Sequence, residues 1–303
     1  QAELSVIFKY YDITKNKKLL FKADRIGKQA IEVIESLKRA YREDASKQFL
    51  VEDYYPIYEQ SIEVKYKLWE RTKDTTFVHQ AFELAEKSKG SLLLEAIQKS
   101  NADKFSGVPD SLLDIKDQIK TDISFYEKLI FREEDGNPNP DLSRINRLNS
   151  KIFDLKLQYE RVLQQIEADY PKYYKLKYSL NVKTVSQIRT SLLSEGQGLI
   201  EYFVGDSVIY VFAIDGINFD MIRLEKDFPL EEWTKNLHDC ISRYNAYSTK
   251  KDDHIATYID LSYKIYKKIF HPILEYCPPR LIIIPDGVLN YLPFEALLQE
   301  IPK

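Results

Sequence analysis

The run Leu281–Ile284 constrains the fold of this chain more than any other segment. Its four residues are all apolar, and it lies between Pro278-Pro279 and the turn-forming Pro285-Asp286-Gly287. A short run that is apolar throughout is typical of a central parallel strand buried on both faces. Helical patterns alternate with strand patterns around it, which indicates an α/β layer in this part of the chain.

Upstream segments complete the α/β part, which we assign to residues 181–303. A β-hairpin is predicted around Gly205-Asp206-Ser207, because strand-like runs flank this tight loop. The predicted segments are Leu199–Val204 and Val208–Ile214 for the hairpin, Gly216–Leu224 for a third strand, Val182–Ile188 for a short helix and Leu230–Cys277 for longer helices.

Residues 106–180 carry two apolar stripes on either side of an acidic break at Glu133–Pro140. The stripes are Leu112, Ile115, Ile119, Ile123, Tyr126 and Ile130, then Leu142, Ile145, Leu148, Ile152, Leu155, Tyr159, Val162, Ile166 and Tyr170. Steps of three and four are typical of a coiled-coil seam, and the short connection predicts an antiparallel helical hairpin. The stripe is either the hairpin core, centred on Ile123, Leu148, Ile152 and Leu155, or a groove for a partner.

Residues 1–105 show helical spacing in three successive segments. The apolar positions are Ala30, Ile31, Val33, Ile34, Leu37 and Tyr41, then Tyr54, Ile57, Tyr58, Ile62 and Tyr66, then Phe77, Val78, Ala81, Phe82, Leu84 and Ala85. Asp74 or Thr75 is predicted to cap the last helix. Gln29-Ala30-Ile31-Glu32 recurs as Gln80-Ala81-Phe82-Glu83, and helices that repeat in this way stack as an α-solenoid.

This helical part resembles the end of a tetratricopeptide-repeat array. The similarity rests on Tyr58–Ile62, Leu68–Asp74 and Ala81–Lys89. The fold class predicted for the whole chain is therefore α plus α/β: a repeat-like helical array, a long helical hairpin and an α/β domain.

Composition excludes several classes of function. The chain has 303 residues, with 44 Lys and Arg against 47 Asp and Glu, so no global basic field draws nucleic acid. Runs such as Val208–Ile214 are too short to span a bilayer, and two cysteines make no disulfide framework, so we expect a cytoplasmic protein. The chain begins Gln-Ala-Glu-Leu, without an initiator Met or a signal region, and we expect it to be an internal piece of a longer protein.

Three strings together resemble the CHAT peptidases, the caspase-like domain that accompanies tetratricopeptide repeats. They are AFELAEKSKGSLLLEAI at 81–97, GLIEYFVGDSVIYVFAI at 198–214 and LIIIPDGVLNYLPFEAL at 281–297. The resemblance implies a cysteine endopeptidase with a His-Cys dyad that cleaves a protein substrate, and repeats that bind a protein activator or regulator. It places the His and the Cys downstream of the Pro-Asp-Gly strand, and therefore beyond Lys303 or in a separate chain.

Within the chain, no residue is predicted to be catalytic, to bind a cofactor or to bind a metal. Asp286 and Glu295 are the only acidic candidates in the distinctive string; we assign Asp286 to its turn and Glu295 to the first turn of a helix that begins near Pro293. The histidines are His79, His238, His254 and His271, and the cysteines are Cys240 and Cys277. Neither His238 with Cys240 nor His271 with Cys277 has the strand-end setting of an activated thiolate.

Two functions remain open at this stage. The first is the regulatory and scaffold portion of a caspase-like endopeptidase. The second is a non-catalytic, helical-repeat interaction module with a degenerate caspase-like domain.

Overall fold

The computed structural model describes residues 2–40, 44–89, 100, 103, 106–135, 140–173, 183–242 and 251–302. The chain forms two compact units, one of Gln1–Lys89 with Val182–Lys303 and one of Gly90–Asn181. The predictions that involve Tyr41, residues 90–97, residues 136–139 and residues 174–182 lie outside the described residues. The first unit joins most of two segments that the sequence assigns to separate domains.

The described chain is mostly helical and contains one small mixed sheet. The helices are α1 (Ala2–Thr14), α2 (Lys17–Ala40), α3 (Asp44–Thr72), α4 (Thr76–Lys89), α5 (Asp110–Glu134), α6 (Leu142–Asp169), α7 (Val185–Ser191), α8 (Leu230–Ser242) and α9 (Lys251–Ile265). The strands are β1 (Gln197–Val204), β2 (Val208–Ile214), β3 (Phe219–Glu225) and β4 (Arg280–Ile284). This content agrees with the α plus α/β class.

Local capping sets several helix bounds in the first unit. The Asp74 carboxylate accepts a hydrogen bond from the Thr76 N–H at 2.9 Å, so Asp74 caps α4. Asp74 was one of the two predicted caps, the other being Thr75. Lys73 adopts a left-handed conformation with φ 58°, and its N–H donates to the Trp69 carbonyl at 2.8 Å, which ends α3. The Thr184 hydroxyl and the Gln187 side chain form a capping box that starts α7.

Helices α1 to α4 pack against their neighbours in chain order. Most of the predicted stripes are buried, including Ile31, Ile34, Ile57, Tyr58, Ile62, Val78, Ala81, Phe82 and Ala85. Val33 is an exception, because it is exposed. Ile31 and Ile34 are three residues apart and share a helix face, whereas Val33 lies on the opposite side.

The sheet has the order β3-β2-β1-β4. Strands β1, β2 and β3 are antiparallel neighbours, which confirms the predicted hairpin and third strand, and β4 pairs in parallel with β1. The prediction that Leu281–Ile284 is a central strand buried on both faces is wrong for the described structure. Strand β4 has one neighbour there, at the edge of the sheet, and its apolar side chains are only half-buried.

Helices cover both faces of the sheet. On one face, Ile200, Tyr202, Ile209, Val211 and Leu224 pack against Leu230 and Leu237 of α8 and Leu261 and Ile265 of α9. On the other face, Leu199, Phe203, Tyr210, Phe212 and Met221 pack against Ile62 of α3, Val78, Ala81 and Phe82 of α4, and Val185 and Ile188 of α7. Helices α3, α4 and α7 therefore form one layer of a three-layer α/β/α unit, while α1 and α2 pack with α3 in a separate apolar cluster.

The segment after β4 differs from the predicted helix near Pro293. Two single 3-10 turns, Gly287–Tyr291 and Phe294–Ala296, follow the strand. Leu289 and Leu292 are buried, while Phe294 is half-buried with its ring centroid 5.6 Å from that of Tyr202. The Ala296 carbonyl accepts hydrogen bonds from the Tyr258 hydroxyl at 2.7 Å and the Ser262 hydroxyl at 2.8 Å. These two bonds from α9 hold the segment in its irregular conformation.

The second unit contains the helical hairpin of α5 and α6. Ion pairs join Glu133 to Arg144 at 3.0 Å and Glu127 to Lys156 at 3.7 Å, in opposite chain directions, so the helices are antiparallel. The buried stripe residues include Ile119, Ile145, Ile152, Leu155 and Ile166, which supports a hairpin core, although two of its four predicted central residues, Ile123 and Leu148, are only half-buried. Ile115 and Leu142 were predicted in the same stripe but are exposed.

Candidate functional site

The carboxyl ends of β1 and β4 lie side by side, because the two strands are parallel neighbours. In open α/β sheets, ligands and reacting groups collect at this edge. Val204 ends β1, and Pro285-Asp286-Gly287 follows β4. This edge is the candidate site.

Asp286 connects three elements at this edge. Its Oδ2 accepts a hydrogen bond from the Val204 N–H at 2.7 Å and another from the Tyr55 hydroxyl at 3.0 Å. Its backbone carbonyl accepts from the Leu289 N–H at 3.0 Å, which forms the predicted turn. The assignment of Asp286 to the turn therefore describes its main chain, whereas its carboxylate ties β1 and helix α3 to the end of β4.

Tyr55 brings helix α3 to the strand ends. Its ring stacks on Phe203, with centroids 5.1 Å apart and planes 5° apart. Its hydroxyl has a second acceptor, the Val204 carbonyl, at 3.0 Å. Burial, and then the charge of Asp286, raise the pKa of Tyr55, so the phenol stays protonated and donates its hydrogen.

Glu59 lies one helical turn beyond Tyr55 and holds the β1–β2 loop. Its Oε1 accepts a hydrogen bond from the Asp206 N–H at 2.9 Å. Gly205 permits this approach, since a Cβ at that position would overlap the Glu59 carboxylate. Burial raises the pKa of Glu59, although the Asp206 N–H opposes that shift. Lys226 donates to the Gly205 carbonyl at 3.1 Å and fixes the loop from the β3 side.

Two contacts between basic and acidic side chains extend the contact between the N-terminal helices and the sheet. Arg223 of β3 pairs with Glu63 of α3 at 3.2 Å. Lys89, the last residue of α4, pairs with Glu201 of β1 at 2.7 Å. Glu201 is only 1% exposed, and burial raises its pKa to about 8 despite the opposing effect of Lys89. At neutral pH, the Glu201 carboxyl is therefore largely protonated and accepts a hydrogen bond from Lys89, whereas Arg223 and Glu63 form an ion pair within the layer contact.

The two thiols lie on α8 and just before β4. Cys277 precedes β4, at the end opposite Asp286, and donates to the Ile273 carbonyl at 3.2 Å. Burial raises the pKa of Cys277 to about 11 and also raises the pKa of the Cys240 thiol in α8. Both thiols are therefore protonated at neutral pH, which opposes a nucleophilic role.

The histidines and Glu295 are dispersed over the first unit. His79 lies on α4, His238 on α8, His254 on α9 and His271 at the start of the turn that precedes β4. The His79 ring is 4.8 Å from Phe219, and burial, then Arg189, lower the pKa of this histidine. Glu295 is exposed in the single turn Phe294–Ala296 rather than in an α-helix. None of these residues joins the network of Asp286 among the described contacts.

Sequence reasoning missed Tyr55 and Glu59 because their partners lie 147 to 231 residues away. A sequence signal exists in retrospect: the two residues are four apart and share one helix face. That spacing marks them as neighbours but does not identify the surface they contact.

Comparison of the chain with models of known protein families finds no match, and a search of curated proteins also finds none. No group of three or more metal-ligating side chains occurs within the residues the structure describes. Among the described helices, none has the length and apolar character needed to cross a membrane.

Proposed function

We propose that this chain is the regulatory and scaffold portion of a caspase-like cysteine endopeptidase of the CHAT type. In this proposal, α1 to α4 are the tetratricopeptide-like arm that binds a protein activator or regulator. The catalytic His and Cys lie outside the chain, in the sequence that follows it or in a separate chain. The protein acts on a protein substrate in the cytoplasm.

One observation carries the proposal: the Asp286 carboxylate hydrogen-bonds both the end of β1 and helix α3. A regulator that displaces α3 moves the Tyr55 hydroxyl, and Asp286 transmits that displacement to the ends of both parallel strands. Chemistry in α/β sheets is built on these ends. The helical layer is thus suited to controlling groups placed beside it.

The protonation of the two thiols supports the proposal that the catalytic Cys lies outside this chain. A cysteine nucleophile needs a lowered pKa, which neighbouring cations or a histidine supply. Cys240 and Cys277 both have raised pKa values, and Cys277 lies at the opposite end of β4 from Asp286. The proposed nucleophile therefore comes from outside these 303 residues.

A specific observation favours the alternative of a non-catalytic interaction module. The hairpin of α5 and α6 exposes three phenylalanines, Phe125, Phe131 and Phe153. Exposed aromatic side chains are common anchors in protein–protein interfaces. This alternative needs no catalytic partner sequence.

Peptidase assays separate the two functions. We expect the 303-residue chain to cleave no member of a broad peptide set, whereas the parent protein that includes the residues after Lys303 cleaves a protein substrate. A thiol alkylator should abolish cleavage by the parent. Steady, alkylator-sensitive cleavage by the 303-residue chain alone would contradict the proposal, and an inactive, folded parent bound to its regulator would favour the interaction module.

A further inference from the structure

A cavity of about 310 Å³ lies among helices α2, α3 and α4. This volume is at the lower end of the range for small-ligand sites. The residues that matter for its chemistry are Asp24, Gly27 and Lys28 of α2, Ser61 and Lys65 of α3, and Gln80 of α4. The lining does not include Tyr55, Glu59 or Asp286, so the cavity is distinct from the strand-end site.

Two lysines share one carboxylate in this cavity. Lys65 is 2% exposed, pairs with Asp24 and donates to Gln80 Oε1 at 2.5 Å. Lys28 is half-exposed and pairs with the other oxygen of Asp24 at 3.0 Å. Lys65 uses two of its ammonium hydrogens on Asp24 and Gln80, and Lys28 uses one on Asp24. Because an ammonium group has three hydrogens, each lysine can donate at least one further hydrogen bond. Asp24 neutralises one of the two positive charges.

Ser61 adds an unused donor at the same place. It is 4% exposed, and its hydroxyl has no hydrogen-bond partner among the described residues. Gly27 lies directly opposite, since a Cβ there would come within 2.8 Å of Ser61 Oγ. A buried hydroxyl without a partner is destabilising, and a ligand acceptor would relieve that cost.

The remaining charged groups of the lining do not cancel this excess. Lys87 pairs with Glu83 at 2.5 Å, one turn apart on α4. Glu32 and Lys28 are both exposed, so solvent screens both of their charges. Around Asp24, the two ammonium groups of Lys28 and Lys65 outnumber the single carboxylate by one positive charge.

We propose that this cavity binds a carboxylate group, held by Lys28, Lys65 and the Ser61 hydroxyl. A single negative charge matches the single excess positive charge. A doubly charged phosphate would place its second charge near Asp24 without a counter-ion. The carboxylate belongs either to a small free acid or to an acidic side chain of a bound polypeptide. This inference does not depend on the proposed peptidase function.

Calorimetric titration of the chain at constant ionic strength tests the proposal. The probes are acetate, inorganic phosphate, and the peptide acetyl-Gly-Asp-Gly-amide beside its Asn counterpart. We expect saturable binding of acetate or of the Asp peptide, with phosphate and the Asn peptide at least tenfold weaker. Acetate binding alone identifies a free acid as the source, and preference for the Asp peptide identifies a polypeptide.

Three variants sharpen the test. Lys28→Met should weaken carboxylate binding at least tenfold, while Lys22→Met, an exposed lysine on the same helix outside the lining, should leave it within twofold. Ser61→Ala should weaken binding severalfold without lowering the melting temperature of the free chain, because its hydroxyl has no partner to lose. The proposal is overturned if no carboxylate probe saturates, if phosphate binds more tightly than acetate, if Lys22→Met weakens binding as much as Lys28→Met, or if Ser61→Ala binds like the unmodified chain.

Discussion

The two faces of the sheet are covered by helices in different ways. On the α8/α9 face, the contact is mostly apolar, with a buried hydrogen bond from the Tyr202 hydroxyl to the Ile269 carbonyl at 3.1 Å. Its ion pairs, Lys226 with Glu231 and Lys268 with Asp227, have exposed acidic partners outside the strands. On the α3/α4 face, an apolar core is accompanied by buried or half-buried polar contacts from Tyr55, Glu59, Glu63 and Lys89.

The two kinds of contact have different consequences: apolar burial stabilises the fold, whereas polar contacts fix the position of one layer on another. Burial of apolar surface stabilises a contact but is not directional. Hydrogen bonds and ion pairs to charged groups have fixed geometry, and removing one partner leaves the other unsatisfied. We infer that α8 and α9 mainly stabilise the sheet, while the polar groups of α3 and α4 also fix where the N-terminal layer lies on it.

The largest expected effect is on the α8/α9 face. Leu237 of α8 is 0% exposed in that core, so Leu237→Ala should lower the free energy of unfolding by about 2–5 kcal/mol. Urea denaturation at one pH measures the change. Ile241, one turn further along α8, is 42% exposed, and Ile241→Ala should cost far less. Equal losses in the two variants would show that α8 is not packed as described.

A pH-dependent effect is expected on the α3/α4 face, from Glu201. Because burial raises its folded pKa to about 8, above its value of about 4.3 in an unfolded chain, the folded state binds more protons between these values. Stability from this group is complete below the unfolded pKa and is lost as pH rises through about 8.

Glu201→Gln should remove that loss. Between pH 5.5 and 8.5, the unmodified chain should lose at least about 1.4 kcal/mol more unfolding free energy than the variant, which is the equivalent of one pKa unit. Denaturation curves at the two pH values measure the difference, and Glu195→Gln, at an exposed position, is the matched control. The same pH slope for the unmodified chain and Glu201→Gln would mean that Glu201 is ionised in the fold.

The apolar architecture was predictable from local patterns. Runs such as Val208–Ile214 gave the hairpin strands, and the three-four spacing around Ile152 gave the buried stripe of α6. Two local predictions were wrong for physical reasons. The apolar run Leu281–Ile284 predicts a strand, but it does not tell how many strands pair with it, and β4 lies at the edge of the described sheet. Pro293 is compatible with the start of either an α-helix or a single 3-10 turn, and the chain forms the turn.

The polar face was not predictable, because its contacts are long-range. Asp286 beside Gly287 has the pattern of a turn, and its backbone does form one. Nothing near it in sequence indicates that Tyr55, 231 residues earlier, donates to its carboxylate. The cavity residues Lys28 and Lys65 likewise belong to different helices, and both pair with Asp24.

The most direct test of the account is a double-mutant cycle on the contact between Tyr55 and Asp286. Tyr55→Phe removes the hydroxyl, Asp286→Ala removes the carboxylate, and the double variant closes the cycle. From denaturation of the four proteins, we predict a coupling free energy of about 1 kcal/mol, because a hydrogen bond to a charged group links helix α3 to the end of β4. If the two single effects simply add, to within about 0.3 kcal/mol, the N-terminal layer is not coupled to the strand ends through this contact, and the central claim is contradicted.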